Sequence, residues 1–166
     1  MSLTLFSLRV CIMLFMEEGD EVAEKDTGRL EHELAEARGV EGFFEENVEE
    51  FRRCSAAEYL ASLLAEKGLK QADVIRASGL EAHYASHIFA GRKNTSRFNL
   101  LSLALAMHLT TKETQHLLHY ADVGQLYVRD PWDSVVWYAL EHRLSVMETN
   151  ALLQSFSKTP LLGNTD

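Results

Sequence analysis

Apolar residues along positions 27–54 recur at the spacing of two short helices. The first helix opens at Thr27 or Gly28, and Gly39 stands where a glycine commonly stops a helix. Its apolar stripe lies at i, i+4 and i+7: Leu30, Leu34 and Ala37. The second helix has apolar residues on one face (Phe44, Val48, Phe51) and acidic residues on the other (Glu45, Glu46, Glu49, Glu50). Helices this short do not fold alone, so the stripe predicts an arm that docks on another surface.

The stretch that follows alternates apolar helical segments with glycine stops. Ser55 with Glu58 three residues later is a capping box, which signals a helix start. The pattern predicts helices over 56–67, 70–77, 81–90 and 96–108, with Gly68 and Gly91 as stops. The candidate core positions are Leu60, Leu63, Leu64, Ala72, Val74, Ile75, Ala85, Ile88, Phe89, Leu100, Leu101, Leu103 and Leu105.

An internal repeat occupies the last 60 residues. The motif that starts at Ala104-Leu105 and ends at Leu117-Leu118 recurs 35 residues later, starting at Ala139-Leu140. Each copy joins two helices through a capping box, formed by Thr110 with Glu113 and by Ser145 with Glu148. Two copies are too few for a solenoid, so we expect two stacked helix pairs that close one bundle, linked by 122–131.

These elements predict an all-α protein. A five-helix core over 55–122 is extended by a C-terminal helical pair, 123–166, and by an acidic helical arm, 17–54, whose first ten residues read as a disordered lead-in. Residues 1–16 are apolar but interrupted by Arg9, and they are shorter than the ~20 residues of a membrane span. They also lack the marks of a signal peptide. We favour an expression leader or a start at Met16 over a membrane anchor, and exclude 1–16 from the fold.

Composition and charge narrow the class of function. Of 166 residues, 46% are hydrophobic and 25% charged, with two prolines and nine glycines, which fits a helical globular protein. The net charge of −9 excludes a uniformly basic nucleic-acid coat protein, although residues 1–54 carry −8 of it. The window 67–97 holds six basic and two acidic side chains and is therefore locally +4. Two widely spaced cysteines, Cys11 and Cys54, predict reduced thiols and a cytoplasmic protein.

Residues 69–107 have the layout of a helix-turn-helix unit. Two short helices meet at Ser78-Gly79-Leu80, where glycine can take the positive φ that a sharp reversal needs. A loop without apolar residues, Arg92–Thr95, leads into the apolar fourth helix. The third helix then has a free face that could enter the ~12 Å major groove of DNA.

At this point the sequence resembles the lambda-repressor-like, xenobiotic-response-element (XRE) family of prokaryotic transcriptional regulators. The resemblance runs without gaps over about forty residues: Leu69-Lys70-Gln71, Val74, Ser78-Gly79-Leu80, Ile88-Phe89-Ala90-Gly91, Arg92-Lys93-Asn94 and Leu100-x₂-Leu103-Ala104. It implies that the third helix reads bases with Ala82, His83, Ser86 and His87. It also implies that the second helix and the loop hold phosphates, for which the candidates are Lys70, Gln71, Arg92, Lys93, Asn94 and Arg97.

Three positions depart from the pattern of that family. Ala82 stands where many members have a polar reader, so its contact would be with a thymine methyl. Glu81 would repel phosphates unless it accepts a cytosine amine or caps the helix. Phe89 replaces a common glutamate. These departures concern the map of base contacts more than the fold.

Other chemistries find weaker support in the sequence. The histidine pairs His83/His87 and His116/His119 have no third ligand nearby, so we expect no metal and no cofactor. No nucleophile elbow or phosphate loop is present, so we expect no enzyme. Trp132, Trp137 and Tyr138 could stack on bases, but core or dimer packing is the favoured interpretation. The arm glutamates are read as a solvated face; the sharper alternative is a mimic of DNA phosphates that covers the basic loop.

The sequence therefore predicts a DNA-binding transcriptional regulator that binds duplex DNA as a homodimer. The C-terminal helices are the candidate dimer surface, or the site of an unknown protein partner. The main alternative is a protein-interaction module that kept the scaffold and lost DNA affinity, because fold alone does not fix function.

Overall fold

A computed structural model describes residues 27–48 and 54–161, and all regular structure within them is α-helical. The helices are α1 (Thr27–Glu36), α2 (Val40–Glu46), α3 (Ala56–Glu66), α4 (Gln71–Ser78), α5 (Ala82–Phe89), α6 (Arg97–Ala106), α7 (Thr111–Tyr120), α8 (Pro131–Glu141) and α9 (Val146–Ser155). The predicted leader, the lead-in before Thr27 and the predicted arm residues Glu49, Glu50 and Phe51 lie outside the described residues. The all-α prediction is confirmed for the part that is described.

The chain divides into two compact units, Met1–Arg53 and Cys54–Asp166. The predicted boundary between 122 and 123 falls inside the second unit. None of the described helices is long and apolar enough to cross a bilayer.

The first unit corrects three predictions about the arm. Gly39 has φ −171° and precedes α2 as its N-cap residue, so it is extended backbone and not a left-handed stop after α1. The predicted face of Phe44 and Val48 is half exposed or more, whereas Phe43 and Asn47 are buried. Because α2 ends at Glu46, the helical spacing does not reach Val48. The side-chain amide of Asn47 donates to the carbonyl of Phe43 (2.9 Å). Leu34, predicted to face inward, is exposed as well.

The second unit is built around α6. The six consecutive residues Leu100–Leu105 are all buried, which is the property of a helix surrounded by others. Helices α4, α7, α8 and α9 pack against it. Most predicted core positions are confirmed, while Leu64 and Phe89 are half buried and Ala72 is exposed. All three predicted capping boxes are present, at Ser55, Thr110 and Ser145.

The 35-residue repeat is visible in the backbone as well as in the sequence. Helices α7 and α9 begin 35 residues apart, at Thr111 and Val146. A left-handed residue follows two positions after the end of each of the helices α6, α7, α8 and α9, and it is repeated too. His108 and Arg143 have φ of 51° and 52°, and Asp122 and Ser157 have φ of 55° and 54°. The buried hydroxyls of Thr114 and Thr149 each donate to the carbonyl four residues earlier. The hairpins α6–α7 and α8–α9 are therefore two copies of one structure.

The two copies meet at the N-terminal ends of α6 and α8. Arg97, the first residue of α6, forms an ion pair with Asp133 of α8 at 2.7 Å. Phe98 packs edge-on against Trp132, with ring centroids 5.1 Å apart. The Arg97 guanidinium also lies 5.6 Å from the centroid of the Trp132 ring. One pair of charged residues and one pair of aromatic residues thus hold the hairpins together at this end.

An ion pair ties α3 to α7. The Lys67 ammonium lies 2.8 Å from the Glu113 carboxylate, and both side chains are about three-quarters buried or more. Burial opposes the charge of Glu113, but the Lys67 ammonium and the Thr110 amide and hydroxyl outweigh it and hold the pKa of Glu113 below its usual value of 4.5.

This ion pair predicts a loss of stability in acid that depends on Glu113. The carboxylate contributes fully above its unfolded pKa near 4.5, and its contribution disappears as the pH falls through the lower folded pKa. We expect Glu113→Gln, which can still cap the helix, to be about 0.5–1 kcal/mol less stable than the parent at pH 7, with a smaller difference at pH 3, below the unfolded pKa. Urea unfolding at both pH values measures this difference. Glu148→Gln is the control, because Glu148 caps α9 and has no lysine partner among the described residues. Equal losses for both variants would contradict the role of Lys67.

Candidate nucleic-acid interface

Helices α4 and α5 reverse direction at Gly79. Gly79 has φ 72° and ψ 5°, a left-handed conformation that costs a residue with a side chain about 1–2 kcal/mol. The buried Ser78 hydroxyl donates to the carbonyl of Ile75 (2.7 Å) and accepts from the amide of Leu80 (3.3 Å), which fixes the corner. Val74 and Ile75 anchor α4 in the core. The reversal leaves one side of α5 without cover from α4.

The four predicted base-facing residues lie on that side of α5. Ala82 and His83 are exposed, and Ser86 and His87 are half buried. The imidazole rings of His83 and His87 touch, with centroids 4.3 Å apart. The Ser86 hydroxyl donates to the carbonyl of Ala82 (2.8 Å), so its oxygen remains available as an acceptor. The buried residues Ala85 and Ile88 occupy the opposite side.

Glu81 caps the N-terminus of α5. Its carboxylate accepts hydrogen bonds from the amides of His83 (2.8 Å) and Tyr84 (2.6 Å). These two bonds hold the pKa of Glu81 below its usual value. The negative charge thus sits at the positive end of the helix, where it is stabilising. Of the two roles that the sequence left open for Glu81, the structure shows the cap.

Candidate phosphate contacts flank α5 on the chain. Lys70 precedes α4 as its N-cap residue and Gln71 is the first residue of α4, and both are exposed. After α5, Arg92, Lys93 and Asn94 are all exposed. The Lys93 ammonium lies 4.6 Å from the centroid of the Tyr84 ring. Cations thus stand before and after the pair of helices.

Arg97 requires a correction. Its guanidinium makes two hydrogen bonds to Asp133 and one each to the carbonyls of Gly124 and Gln125. Four of its five N–H groups are thereby used inside the unit, and its side chain is only 24% exposed. Arg97 is therefore a structural residue, and we remove it from the phosphate set.

Pairing also reduces the positive charge of the window 67–97. Lys67 pairs with Glu113 and Arg97 with Asp133, and these two acids lie outside the window in sequence. When they are counted with Asp73 and Glu81, the net charge falls from +4 to +2. Arg76 pairs with Asp73 at 2.8 Å on the surface. Of the six cations of this window, Lys70, Arg92 and Lys93 have no acidic partner within the described residues.

The aromatic residues of α8 take packing roles. Trp132 packs against Phe98, and its indole nitrogen donates to the carbonyl of Thr159 (2.7 Å). Trp137 packs against the core. Tyr138 is half exposed and stacks on His142, with centroids 3.8 Å apart. Trp132 and Trp137 therefore pack against other residues of the unit, which is the interpretation that the sequence favoured over base stacking.

The sequence predictions missed two residues that contact candidate site residues: Asp133, which pairs with Arg97, and Tyr84, which contacts Lys93. Asp133 was not singled out, although a lone acid within the apolar run from Trp132 to Val136 is the signal of a buried charge. Tyr84 was not singled out either, although a tyrosine between the exposed His83 and the buried Ala85 combines an apolar ring with a polar tip at the edge of the core.

Within the described residues, the structure contains no group of three His, Cys, Asp or Glu side chains that could hold a metal ion.

Three comparisons with known proteins gave no match. A scan of the chain against protein-family models finds no match. A search of curated proteins finds no similar sequence. A search of solved structures finds no structure that matches.

Proposed function

We propose that the protein is a sequence-specific DNA-binding transcriptional regulator that places α5 in the major groove. The observation that carries the proposal is the face of α5 formed by the exposed His83 and the half-buried His87. Flanking it are Lys70, Arg92 and Lys93, which have no acidic partner among the described residues. An α-helix with its side chains is about 10–12 Å in diameter, and the major groove is about 12 Å wide. We include in this proposal that α3–α7 form a lambda-repressor-like helix-turn-helix bundle in a cytoplasmic protein.

The residues divide into two roles. His83 and His87 can donate to guanine O6 and N7, or accept from the amino groups of adenine and cytosine, and Ala82 can touch a thymine methyl. Ser86 can accept through its oxygen. Lys70, Gln71, Arg92, Lys93 and Asn94 contact phosphates, which gives affinity without sequence preference. Two backbone amides hold the Glu81 carboxylate at the N-terminus of α5, where the positive end of the helix dipole offsets part of its charge.

One copy of α5 can reach only a few base pairs, so we propose that two copies bind together. Two-fold symmetry would place the half-sites about 34 Å apart. The C-terminal hairpin α8–α9 is the proposed dimer surface or the site of a protein partner.

Selection of bound duplexes from a random pool, with the full chain, tests the function. We expect an enriched, nearly palindromic sequence. His83→Ala or His87→Ala should change the preferred base at one position per half-site, with about tenfold loss of discrimination there. His119→Ala, on the exposed surface of α7, should leave the preferred sequence unchanged. A pool that shows no enrichment with the parent protein would exclude sequence-specific binding.

A second candidate function is a protein-interaction module on the same scaffold. The observation that favours it is the pairing of Lys67, Arg76 and Arg97 with carboxylates, which reduces the positive charge available to DNA. Salt dependence separates the two functions, because DNA binding weakens steeply with salt, by about 0.9 in the log–log slope for each phosphate contact. A module of this kind would show no such slope with any duplex.

A further inference from the structure

The loop that follows α5 is held by a small polar network. The phenol oxygen of Tyr84 lies 2.9 Å from the hydroxyl oxygen of Thr95. The side-chain amide of Asn99 donates to both, at 3.2 Å to Tyr84 and 3.0 Å to Thr95. All three residues are half buried, and they belong to α5, the loop and α6. The network closes on itself, so each of the two amide protons of Asn99 has an acceptor.

The same tyrosine also contacts the loop through its ring. The Lys93 ammonium stands 4.6 Å from the ring centroid, within the range of a cation–π contact. Arg92, Lys93 and Asn94 are exposed, and the loop has no apolar residue that could anchor it in the core. Tyr84 therefore contacts the loop at two points, Lys93 through the ring and Thr95 through the hydroxyl.

We infer that Tyr84 is a positioning residue that fixes the Lys93 ammonium and the loop relative to the base-reading face of α5. This inference rests on the proposed function. A free lysine side chain loses considerable rotamer entropy when it is held at a phosphate. A lysine already held over a ring loses less of it on binding, so preorganisation by Tyr84 raises affinity. Tyr84 touches no base in this scheme, so it affects affinity and not sequence preference.

Two variants of Tyr84 separate its two contacts. Tyr84→Leu removes the ring, and we expect about fivefold weaker binding to every duplex with an unchanged preferred sequence. Tyr84→Phe keeps the ring under Lys93 and loses the hydroxyl, and we expect about threefold weaker binding. Tyr127→Leu, at an exposed tyrosine in the segment between α7 and α8, is the matched control and should bind as the parent does.

A double-mutant cycle with Lys93 gives a readout that a purely structural role would not move. Lys93→Ala should lower the salt slope by about 0.9, and Tyr84→Leu should move the slope towards that of Lys93→Ala. In the Lys93→Ala background, Tyr84→Leu should then have a much smaller effect than in the parent. Additive effects in this cycle would overturn the inference.

A measurement without DNA distinguishes this inference from the proposed function. In the free protein, the side-chain protons of Lys93 should show ring-current shifts in NMR spectra of the parent and Tyr84→Phe, and ordinary shifts in Tyr84→Leu. If the parent binds DNA but Tyr84→Leu binds equally well, or prefers a different sequence, the positioning role is wrong and the proposed function stands. If the parent binds no duplex, the proposed function fails and the inference about affinity fails with it, whatever the NMR spectra show.

Discussion

Replacing Arg97 with alanine should destabilise the unit Cys54–Asp166 by about 3 kcal/mol. Asp133 is 8% exposed, so the variant would leave its carboxylate buried without a counter-charge. The carbonyls of Gly124 and Gln125 would lose their donor as well. The free energy of unfolding, measured by urea denaturation, reports this loss. Asp133→Ala should have a similar effect, because it leaves the guanidinium of Arg97 without its acceptor.

An exposed pair on the same unit provides the control. Arg76 and Asp73 form an ion pair of nearly the same length, 2.8 Å, but their side chains are 78% and 59% exposed. Surface pairs of this kind contribute about 0–1 kcal/mol, so Arg76→Ala should have a small effect. The double variant Arg97→Met/Asp133→Leu should recover much of the stability, because two apolar side chains leave no buried charge. Equal losses for Arg97→Ala and Arg76→Ala would show that burial does not decide the difference.

Replacing the three exposed cations that flank α4 and α5 with alanine should weaken DNA binding by about a hundredfold at 0.1 M salt. The variant is Lys70→Ala/Arg92→Ala/Lys93→Ala. Loss of three phosphate contacts would lower the salt slope by about 2.7, and the loss should be the same for preferred and unrelated sequences. Titration of labelled duplexes at several salt concentrations measures both quantities. The unfolding transition should change little, because all three side chains are exposed.

A variant with the same change of net charge controls for long-range attraction. Arg38, Lys112 and Arg129 are exposed cations of the segment between α1 and α2, of α7 and of the segment before α8. Replacing these three with alanine should leave most of the affinity and the salt slope intact. If both triple variants lose affinity alike, the protein attracts DNA by overall charge and not through the surface beside α5.

Local signals in the sequence predicted the helices well. A serine or threonine with a glutamate three residues later marked the starts of α3, α7 and α9, because both hydrogen bonds of a capping box are made within four residues. Gly68, Gly79 and Gly91 all adopt the left-handed conformation. The buried leucines of α6 followed from their density alone.

Predictions failed for residues whose contact partners are distant in the sequence or whose helix ends earlier than expected. Arg97 reads as a loop cation in sequence, and its partner Asp133 lies 36 residues away. Which face of α2 is buried depends on where the helix ends, and Glu46 is an earlier end than the apolar spacing suggested. The network of Tyr84, Thr95 and Asn99 joins three segments whose side chains give no local signal. The site residues of α5 were brought together, but their role in DNA binding stays a prediction.

The contacts between the two hairpins are reciprocal under the 35-residue shift. Position 97 in the first copy corresponds to 132 in the second, and 98 corresponds to 133. Arg97 meets Asp133 while Phe98 meets Trp132, so each contact is the image of the other, and Arg97 also meets its own counterpart, Trp132. In an isologous interface, which has a two-fold axis, residue i of one copy contacts residue j of the other, and residue j of the first copy contacts residue i of the second. The contacts between the two hairpins follow this rule. The C-terminal half therefore has the form of a homodimer of hairpins fused into one polypeptide, in which the connecting segment keeps the two copies together.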